Sequence, residues 1–289
     1  MEAQSISTAK AREVRFSSEP TRFESLEEFL RSDRGKLRGA IEILYGEFPL
    51  HFFYNNRGEE STFVSFQAAV SNKVESVPAW AGLGITRGIR VNQLLFSDPS
   101  LKIDTELRLA WYAGNKFQQN LQTDITKIIS YLCDGSEIVL FGASGGGFAA
   151  LEQATRLPGC TVITSNPQTD IFQYFTKTVD QYINTAWGEI EKTELPFNNS
   201  VVDAFASVVE AQVIYLQNSG DYNHMQNHFI PFRENVHPDN QIIYLTPYLG
   251  VGHVGPSKET LIDLINKICN PKSFTSTRVL SESVKYTGA

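Results

Sequence analysis

Cysteine is scarce in this sequence and follows no pattern. The 289-residue chain contains three, Cys133, Cys160 and Cys269, which lie far apart among apolar residues. An odd number of isolated cysteines argues against a disulfide framework and against a cysteine-based zinc site. Three reduced thiols are typical of a cytoplasmic protein, and we predict that compartment.

Basic charge and long apolar runs are also lacking. The chain has 25 Lys and Arg against 32 Asp and Glu, a net charge of −7. This balance argues against electrostatic binding of nucleic acid or of an anionic membrane surface. No run approaches the roughly 20 apolar residues that span a bilayer, and residues 1–15 lack the apolar region of a secretory signal. The 42% of hydrophobic residues still suffice for a sizeable core.

Strands and helices alternate along most of the chain. Apolar, β-branched runs predict strands over 39–45, 50–54, 62–69, 91–96, 137–141, 161–164, 212–216 and 241–245. Periodic or small-residue segments predict helices over 121–132, 145–156, 203–211, 222–236 and 258–269. Because strand–helix–strand units connect parallel strands, we predict an α/β fold. Its central sheet should be mostly parallel and covered by helices on both faces.

The two ends of the chain fall outside this pattern. We predict an N-terminal extension over residues 1–35, one α/β domain over 36–271, and a polar C-terminal tail over 272–289. No core strand is expected in the extension, so deletion of residues 1–32 should spare the fold. Within the domain, the irregular and aromatic segment 171–200 is predicted to form a small helical cap over a pocket.

The most informative motif lies between a predicted strand and a predicted helix. The run Phe-Gly-Ala-Ser-Gly-Gly-Gly contains Gly-x-Ser-x-Gly at Gly142, Ser144 and Gly146. A sharp strand-to-helix turn presents a serine hydroxyl, and only residues with little or no side chain tolerate the crowding around it, which accounts for the glycines. A phosphate-binding loop is one alternative, but the dinucleotide pattern needs glycine at Ser144, and no Gly-Lys-Ser/Thr follows. The other alternative is a glycine-rich turn that only packs a helix on a strand.

A serine nucleophile needs a histidine base and an acid that orients the histidine. Of the five histidines, His253 lies in a glycine-rich loop after the last strand, where the base belongs when the chain order is Ser, acid, His. Asp221 ends the Asn-Ser-Gly-Asp turn after the preceding strand and is the leading acid. Asp170, past the strand that follows Ser144, is the second candidate. The predicted catalytic residues are therefore Ser144, Asp221 and His253.

The oxyanion of an acyl-transfer reaction needs two N–H donors. The first predicted donor is the N–H of Gly145, the residue after the serine. The second is the N–H of Ala69, at the end of the strand that begins at Thr62. The alternative is that Ala69 is only a small core residue.

The alternative role for the histidines near Asp221 is to bind a metal ion. Asp221, His224 and His228 are spaced by three and four residues, which places them on one helical face. Because the glutamate of a His-Glu-x-x-His motif is absent and no cysteine lies near, we predict no metal. His224 is instead expected to face the pocket. The candidates for contact with substrate are His224, Gln168, Trp111 and Tyr112.

Over residues 37–270 the sequence resembles the α/β-hydrolase superfamily. The resemblance rests on the glycine-rich run around Ser144, the turn at Asp221 and the loop around His253. A more specific likeness is to hydrolase-fold proteins of bacterial surface-polysaccharide loci, including capsule O-acetyltransferases, which carry a run similar to Ser-Asn-Pro-Gln at 165–168. The resemblance implies an α/β-hydrolase fold and the same three catalytic residues. The N-terminal extension has no counterpart in that pattern.

Three functions are compatible with these residues. The favoured one is a serine esterase or deacylase, in which water releases the acyl group from an acyl-enzyme. The second is an O-acetyltransferase that moves acetyl from acetyl-CoA to a hydroxyl of a surface polysaccharide. The third is a binding protein without catalysis, against which the complete set of serine, acid and histidine argues. The predicted partner is a small-molecule or glycan ester, and the only cofactor considered is acetyl-CoA, as donor in the second function.

Overall fold

A computed structural model describes residues 10–45 and 48–270, so the predicted tail over 272–289 lies outside the described residues. The strands are β1 (Glu13–Val14), β2 (Thr21–Phe23), β3 (Arg38–Ile43), β4 (Leu50–Asn55), β5 (Ser61–Phe66), β6 (Ser76–Val77), β7 (Asn92–Ser97), β8 (Glu137–Ala143), β9 (Cys160–Ser165), β10 (Ala211–Leu216) and β11 (Gln241–Leu245). The helices are α1 (Leu26–Arg31), α2 (Leu83–Thr86), α3 (Leu121–Leu132), α4 (Gly145–Ala154), α5 (Thr176–Tyr182), α6 (Val202–Phe205), α7 (Tyr222–His224), α8 (Ile230–Asn235) and α9 (Lys258–Cys269).

Nine of these strands form one sheet in the order β11-β10-β9-β8-β5-β7-β4-β3-β2. β4 runs antiparallel to both β3 and β7, and the other neighbouring pairs are parallel. The sheet is therefore mixed at one side and parallel from β7 to β11. The prediction of a mostly parallel sheet is confirmed, with the antiparallel β4 as its exception. The carboxyl ends of β5, β8, β9, β10 and β11 meet at one edge, where the loops that follow them come together.

Side chains of the central strands alternate between two apolar layers. On β8, Leu140 belongs to the layer that also contains buried side chains of α3 and α4. Val139 and Phe141 belong to the opposite layer, which contains Ile265 and Cys269 of α9. Both faces of the sheet are thus covered by helices, as predicted, because strands buried on both faces are apolar at successive positions.

Two of the five predicted helices differ clearly from the structure. The predicted helix over 203–211 is only the short α6, which ends at Phe205, and Ala211 already belongs to β10. The segment 222–236 is helical, but a π turn, Met225–Phe229, separates α7 from α8. Among the helices of the described residues, none combines the length and the apolar character needed to cross a bilayer.

The N-terminal extension contributes an edge strand and a helix with buried side chains to the domain, so the expectation that its deletion spares the fold is not supported. β2 pairs in parallel with β3 at the side of the sheet, with Thr21 opposite Ile41. Phe29 of α1 is fully buried against the sheet. Its ring centroid lies 5.5 Å from that of Phe52 on β4. A three-residue strand is too short to leave a periodic hydrophobic signal, which is why the sequence does not reveal it.

Arg12 anchors the N-terminal extension to the rest of the domain through hydrogen bonds. Its side chain is buried, and the guanidinium donates to the carbonyl oxygens of Val74 (3.0 Å), Asp104 (2.6 Å) and Leu107 (2.7 Å). A buried guanidinium needs such acceptors, since unpaired donors away from water are costly. The extension is therefore integrated into the fold on both sides of β2.

We expect removal of the extension to destabilise the protein. Deletion of residues 1–32 exposes the edge of β3 and removes buried α1 side chains, and the single change Phe29→Ala should cost about 3–5 kcal/mol of unfolding free energy. Urea unfolding measures both effects. Val208→Ala is the control, because Val208 is exposed and its loss should change stability by no more than about 0.5 kcal/mol. If the truncated protein unfolded at the same urea concentration as the full-length chain, the claim that the extension stabilises the fold would be wrong.

The three cysteines are free and buried. Burial raises the pKa of the Cys133, Cys160 and Cys269 thiols to about 12. Each is therefore a protonated thiol at neutral pH, and a thiol in this state is a poor nucleophile.

Candidate active site

Ser144 stands at the junction of β8 and α4, in a strained backbone conformation. Its φ is 53° and its ψ is −122°, a region that non-glycine residues rarely adopt. The neighbouring glycines make this turn possible. A Cβ on Gly142 would lie 2.0 Å from the Gly146 carbonyl oxygen, and a Cβ on Gly146 would lie 2.3 Å from that of Phe66. The Gly-x-Ser-x-Gly pattern is thus a steric requirement of this turn.

Asp221 and His253 lie together at the ends of two adjacent strands. Asp221 follows β10 and is buried, and its Oδ2 lies 2.6 Å from Nδ1 of His253, which follows β11. Burial alone would raise the pKa of Asp221, but the hydrogen bond from His253 and the proximity of His224 hold that pKa below its usual value. Asp221 is therefore a carboxylate, and it orients an imidazole whose side chain is 44% exposed.

Asp170, the second candidate acid, has a different role. Its carboxylate accepts the backbone N–H of Phe172 at 2.8 Å, at the start of a short 3₁₀ turn. Within the described residues, no hydrogen bond or ion pair joins Asp170 to a histidine. The structure brings Asp221, and not Asp170, to His253.

Two asparagines hold the loops that carry these side chains. Asn218 donates from Nδ2 to the carbonyl oxygens of Gly250 (2.9 Å) and Gly252 (2.8 Å) in the His253 loop. Asn166 accepts the Asn218 N–H at 2.7 Å and donates to the carbonyl oxygen of Val254 at 2.9 Å. The sequence analysis did not identify either asparagine as a positioning residue. Their places in Ser-Asn-Pro-Gln and Asn-Ser-Gly-Asp, after two adjacent strands, could have indicated this role.

The Ser144 hydroxyl bonds to Gln168 in this structure. Oγ accepts a hydrogen bond from Gln168 Nε2 at 2.9 Å, and Gln168 Oε1 accepts one from Trp111 Nε1 at 2.8 Å. Across residues 10–45 and 48–270, no hydrogen bond joins Ser144 to His253. Contacts of this kind are often long without substrate and tighten when substrate binds.

A second histidine shares the carboxylate of Asp221. The His224 ring stacks on that of His253 with centroids 4.1 Å apart, and its Nδ1 lies 3.0 Å from the same Oδ2 at an angle too poor for a hydrogen bond. Its Nε2 lies 3.3 Å from Gln168 Nε2. Burial, and then the proximity of His253, lower the pKa of His224 to about 4. His224 is consequently a neutral imidazole at neutral pH.

His228 lies one helical turn further along and is fully buried. Its Nδ1 accepts the backbone N–H of Thr169 at 3.3 Å. Burial and the neighbouring His224 lower the pKa of His228 to about 3. His228 therefore supports the loop after β9 and does not reach Asp221 with a ligand atom.

In the structure, His253 takes the place of His228 in the set of residues that could bind a metal ion. Asp221, His224 and His253 present ligand atoms within 4.8 Å of one another. Two ligands of one tetrahedral zinc lie roughly 3.3 Å apart, given bonds of about 2.0 Å. The 2.6 Å between Asp221 Oδ2 and His253 Nδ1 fits a hydrogen bond better than ligation of one ion.

The segment 171–200 is helical and packs beside these residues. Trp111 lies between Tyr174 (centroids 6.0 Å apart) and Tyr182 (5.6 Å), both of this segment. The Tyr174 ring also lies 5.9 Å from that of His224. The aromatic side chains therefore connect the segment both to the core and to the candidate site.

The remaining predicted site residues occupy different surroundings. Gly145 is the first residue of α4, where a backbone N–H has no acceptor within the helix. Ala69 is exposed, three residues beyond β5, and its part in an oxyanion hole stays a prediction. The Tyr112 hydroxyl accepts the Gln67 N–H at 2.7 Å and donates to the Phe96 carbonyl oxygen at 3.0 Å. Tyr112 thus ties the ends of β5 and β7 together.

We expect the buried histidines to make stability depend on pH. His224 and His228 have folded-state pKa values of about 4 and about 3, against about 6.5 in an unfolded chain. Below pH 6.5 the unfolded state binds more protons than the folded state. The unfolding free energy should therefore decrease as the pH is lowered, by up to about 1.4 kcal/mol per pH unit for each histidine. Urea unfolding of wild type and His228→Gln between about pH 7 and pH 4.5 tests this. An unchanged slope in the variant would contradict it.

Comparison with known proteins finds similarity in structure only. No protein-family model matches the chain, and no curated protein matches it. A capsule O-acetyltransferase of Neisseria meningitidis serogroup A is 18% identical, with a TM-score of 0.60 over 77% of this chain and 94% of that one. A puromycin-hydrolysing peptidase of Mycobacterium tuberculosis is 14% identical, with a TM-score of 0.53 over 77% of this chain and 37% of that one.

A third solved structure, a protein of unknown function from Staphylococcus aureus, is 12% identical, with a TM-score of 0.51 over 80% of this chain and 97% of that one. Identities this low support a statement about fold alone. The strand order, the strained serine after β8 and these structural neighbours agree with the resemblance seen in the sequence. The chain has an α/β-hydrolase fold.

Proposed function

We propose that this protein is a serine-dependent enzyme that acts on acyl esters through an acyl-enzyme on Ser144. The observation that carries the proposal is the strained Ser144 between β8 and α4, at the sheet edge where Asp221 and His253 are hydrogen-bonded at 2.6 Å. Nucleophilic catalysis requires a reactive hydroxyl and an oriented imidazole, and the presence of both at the same edge of the sheet supports the proposal.

In the proposed reaction, Ser144 Oγ attacks the acyl carbonyl carbon while its proton passes to His253 Nε2. The carbonyl π electrons move to the oxygen, which the Gly145 N–H stabilises, and the Ala69 N–H is the second predicted donor. The oxyanion then collapses, and His253 gives its proton to the departing alcohol or thiol. Asp221 keeps the His253 proton on Nδ1 and stabilises the imidazolium. Water attacks the acyl-enzyme in a second round, which makes the protein an esterase or deacylase.

A second candidate function uses the same acyl-enzyme with another acceptor. The similarity to a capsule O-acetyltransferase over 94% of that chain favours transfer of acetyl from acetyl-CoA to a carbohydrate hydroxyl. A mutant of that enzyme was solved in complex with CoA. The two functions share the acyl-enzyme on Ser144 and differ in the acyl donor and in the group that takes the acyl from Ser144.

Product analysis separates these functions. Wild type and Ser144→Ala are incubated with p-nitrophenyl acetate, and separately with acetyl-CoA in the presence and absence of a panel of oligosaccharides. An esterase releases p-nitrophenol without a sugar and leaves acetyl-CoA intact. An acetyltransferase releases free CoA faster when an acceptor is present, and the acetyl group appears on that sugar by mass spectrometry. Folded wild type that turns over neither ester nor thioester would contradict the proposal and favour a binding protein.

A further inference from the structure

Gln168 contacts Ser144 through both its backbone and its side chain. Its backbone N–H donates to the Ser144 carbonyl oxygen at 3.2 Å, and its Nε2 donates to Ser144 Oγ at 2.9 Å. The Gln168 side chain is fully buried. An amide donor on the reactive oxygen, shielded from water, is a feature that the triad reaction does not account for.

The orientation of the Gln168 amide is determined by its neighbours. Trp111 Nε1 is only a donor, and it lies 2.8 Å from the atom assigned as Oε1. The NH₂ group faces two acceptors, Ser144 Oγ at 2.9 Å and His224 Nε2 at 3.3 Å. A flipped amide would place two donors against each other at Trp111. The amide therefore presents one hydrogen to Ser144 and one to His224.

This arrangement also determines the tautomer of His224. Because Nε2 accepts a hydrogen from Gln168, the proton of the neutral His224 must lie on Nδ1, which is 3.0 Å from Asp221 Oδ2 but not aligned for a hydrogen bond. A protonated His224 would have no lone pair for the amide. The burial that keeps His224 neutral thus keeps the second amide hydrogen engaged.

We propose that Gln168 is a catalytic residue that donates a hydrogen bond to the developing oxyanion, beside the N–H of Gly145, and that Trp111 and His224 are its positioning residues. This inference rests on the proposed acyl-enzyme function. The amide borders Gly145, since a Cβ on that residue would lie 3.2 Å from Gln168 Oε1. In the tetrahedral intermediate the oxyanion and Oγ share one carbon, so a donor at Oγ reaches the oxyanion with a small shift. Gln168 transfers no proton and only donates the bond.

The test measures the rate constant for acylation of Ser144 by p-nitrophenyl acetate and for its labelling by a fluorophosphonate. Gln168→Ala and Gln168→Glu should each lower both rate constants about 10²- to 10³-fold, with little change in KM. The glutamate variant matters because it keeps the volume and the acceptor for Trp111 but offers no N–H. Gln241→Ala, an exposed position on β11, is the matched control and should react at the wild-type rate.

The positioning residues have a separate signature. Trp111→Phe removes the indole N–H and should slow acylation about tenfold, yet it should cause no further loss in a Gln168→Ala background, because both changes remove one interaction. By ¹⁵N NMR, His224 should carry its proton on Nδ1 in wild type. A proton on Nε2 would overturn the assignment without reference to activity.

The outcomes separate this inference from the proposed function. If wild type acylates and the folded Gln168→Glu variant acylates at the same rate, the inference is overturned and the proposed function stands. If folded wild type does not acylate at all, the proposed function fails, and the inference fails with it. A slow Gln168→Glu variant with unchanged KM and a wild-type unfolding midpoint supports the inference.

Discussion

Replacing Ser144 with alanine is expected to lower kcat for p-nitrophenyl acetate by about six orders of magnitude. In the proposed reaction, the change removes the atom that forms the acyl bond, and the alanine side chain offers no group that can replace it. The Ser144 side chain is small, but its loss leaves one Gln168 N–H without its acceptor, so the unfolding free energy should fall by no more than about 1–3 kcal/mol. Steady-state kinetics with freshly purified protein measures the effect.

The matched control is Ser65→Ala. Ser65 is a fully buried serine of β5, and its Oγ has no hydrogen-bond partner among the described residues. Its replacement should keep kcat within about twofold of wild type, since removal of an unpaired buried hydroxyl is close to neutral. Equal kcat values for Ser144→Ala and wild type would contradict the assignment of the nucleophile.

Replacing Asp221 with asparagine is expected to lower kcat about 10⁴-fold. The amide has the size of the carboxylate, but its NH₂ group would face His253 Nδ1 and drive the His253 proton to Nε2, where the base must accept one. It would also remove the negative charge that stabilises the imidazolium. The loss should appear in kcat rather than in KM, because Asp221 is buried behind the imidazole.

Asp170→Asn is the control for the acid, because the sequence alone leaves both aspartates open. Asp170 binds the Phe172 N–H at the start of a 3₁₀ turn, and an asparagine oxygen can accept the same hydrogen bond. Its kcat should stay within about threefold of wild type. A large loss in Asp170→Asn together with a small loss in Asp221→Asn would reverse the assignment.

The two histidines near Asp221 differ in their exposure to solvent. His253 is partly exposed and can meet both substrate and water, whereas His224 is buried beneath it and stays neutral. A neutral neighbour does not compete for the charge of Asp221, so the carboxylate remains available to a protonated His253. In the proposed mechanism, the stacked pair would therefore leave Asp221 free to support His253 as the base.

Most of the architecture follows from the sequence because the relevant signals are local. The apolar stripe of α3 predicts its bounds, Leu121–Leu132, and the continuous apolar run of β8 predicts a buried parallel strand. Ser144, Asp221 and His253 follow the carboxyl ends of three parallel strands, β8, β10 and β11, which predicts that they lie at one edge of the sheet. Each of these inferences needs only periodicity and the geometry of parallel sheets.

The features that the sequence does not reveal depend on contacts between distant segments. β2 is recognised only by its pairing with β3, because three residues carry no period. The sharing of Asp221 by His224 and His253 joins α7 to the loop after β11. The orientation of the Gln168 amide depends on Trp111, which is 57 residues away in the chain. Tertiary packing, rather than local preference, determines all three.

The measurement that tests the central claim most directly is intact-mass analysis after treatment with a fluorophosphonate, for wild type beside Ser144→Ala. An activated serine attacks phosphorus, releases fluoride and keeps the phosphonyl group as a stable adduct. The account predicts a single adduct on wild type and none on the folded Ser144→Ala variant. Absence of an adduct on folded wild type, or an equal adduct on both proteins, would contradict the claim that Ser144 is an activated nucleophile.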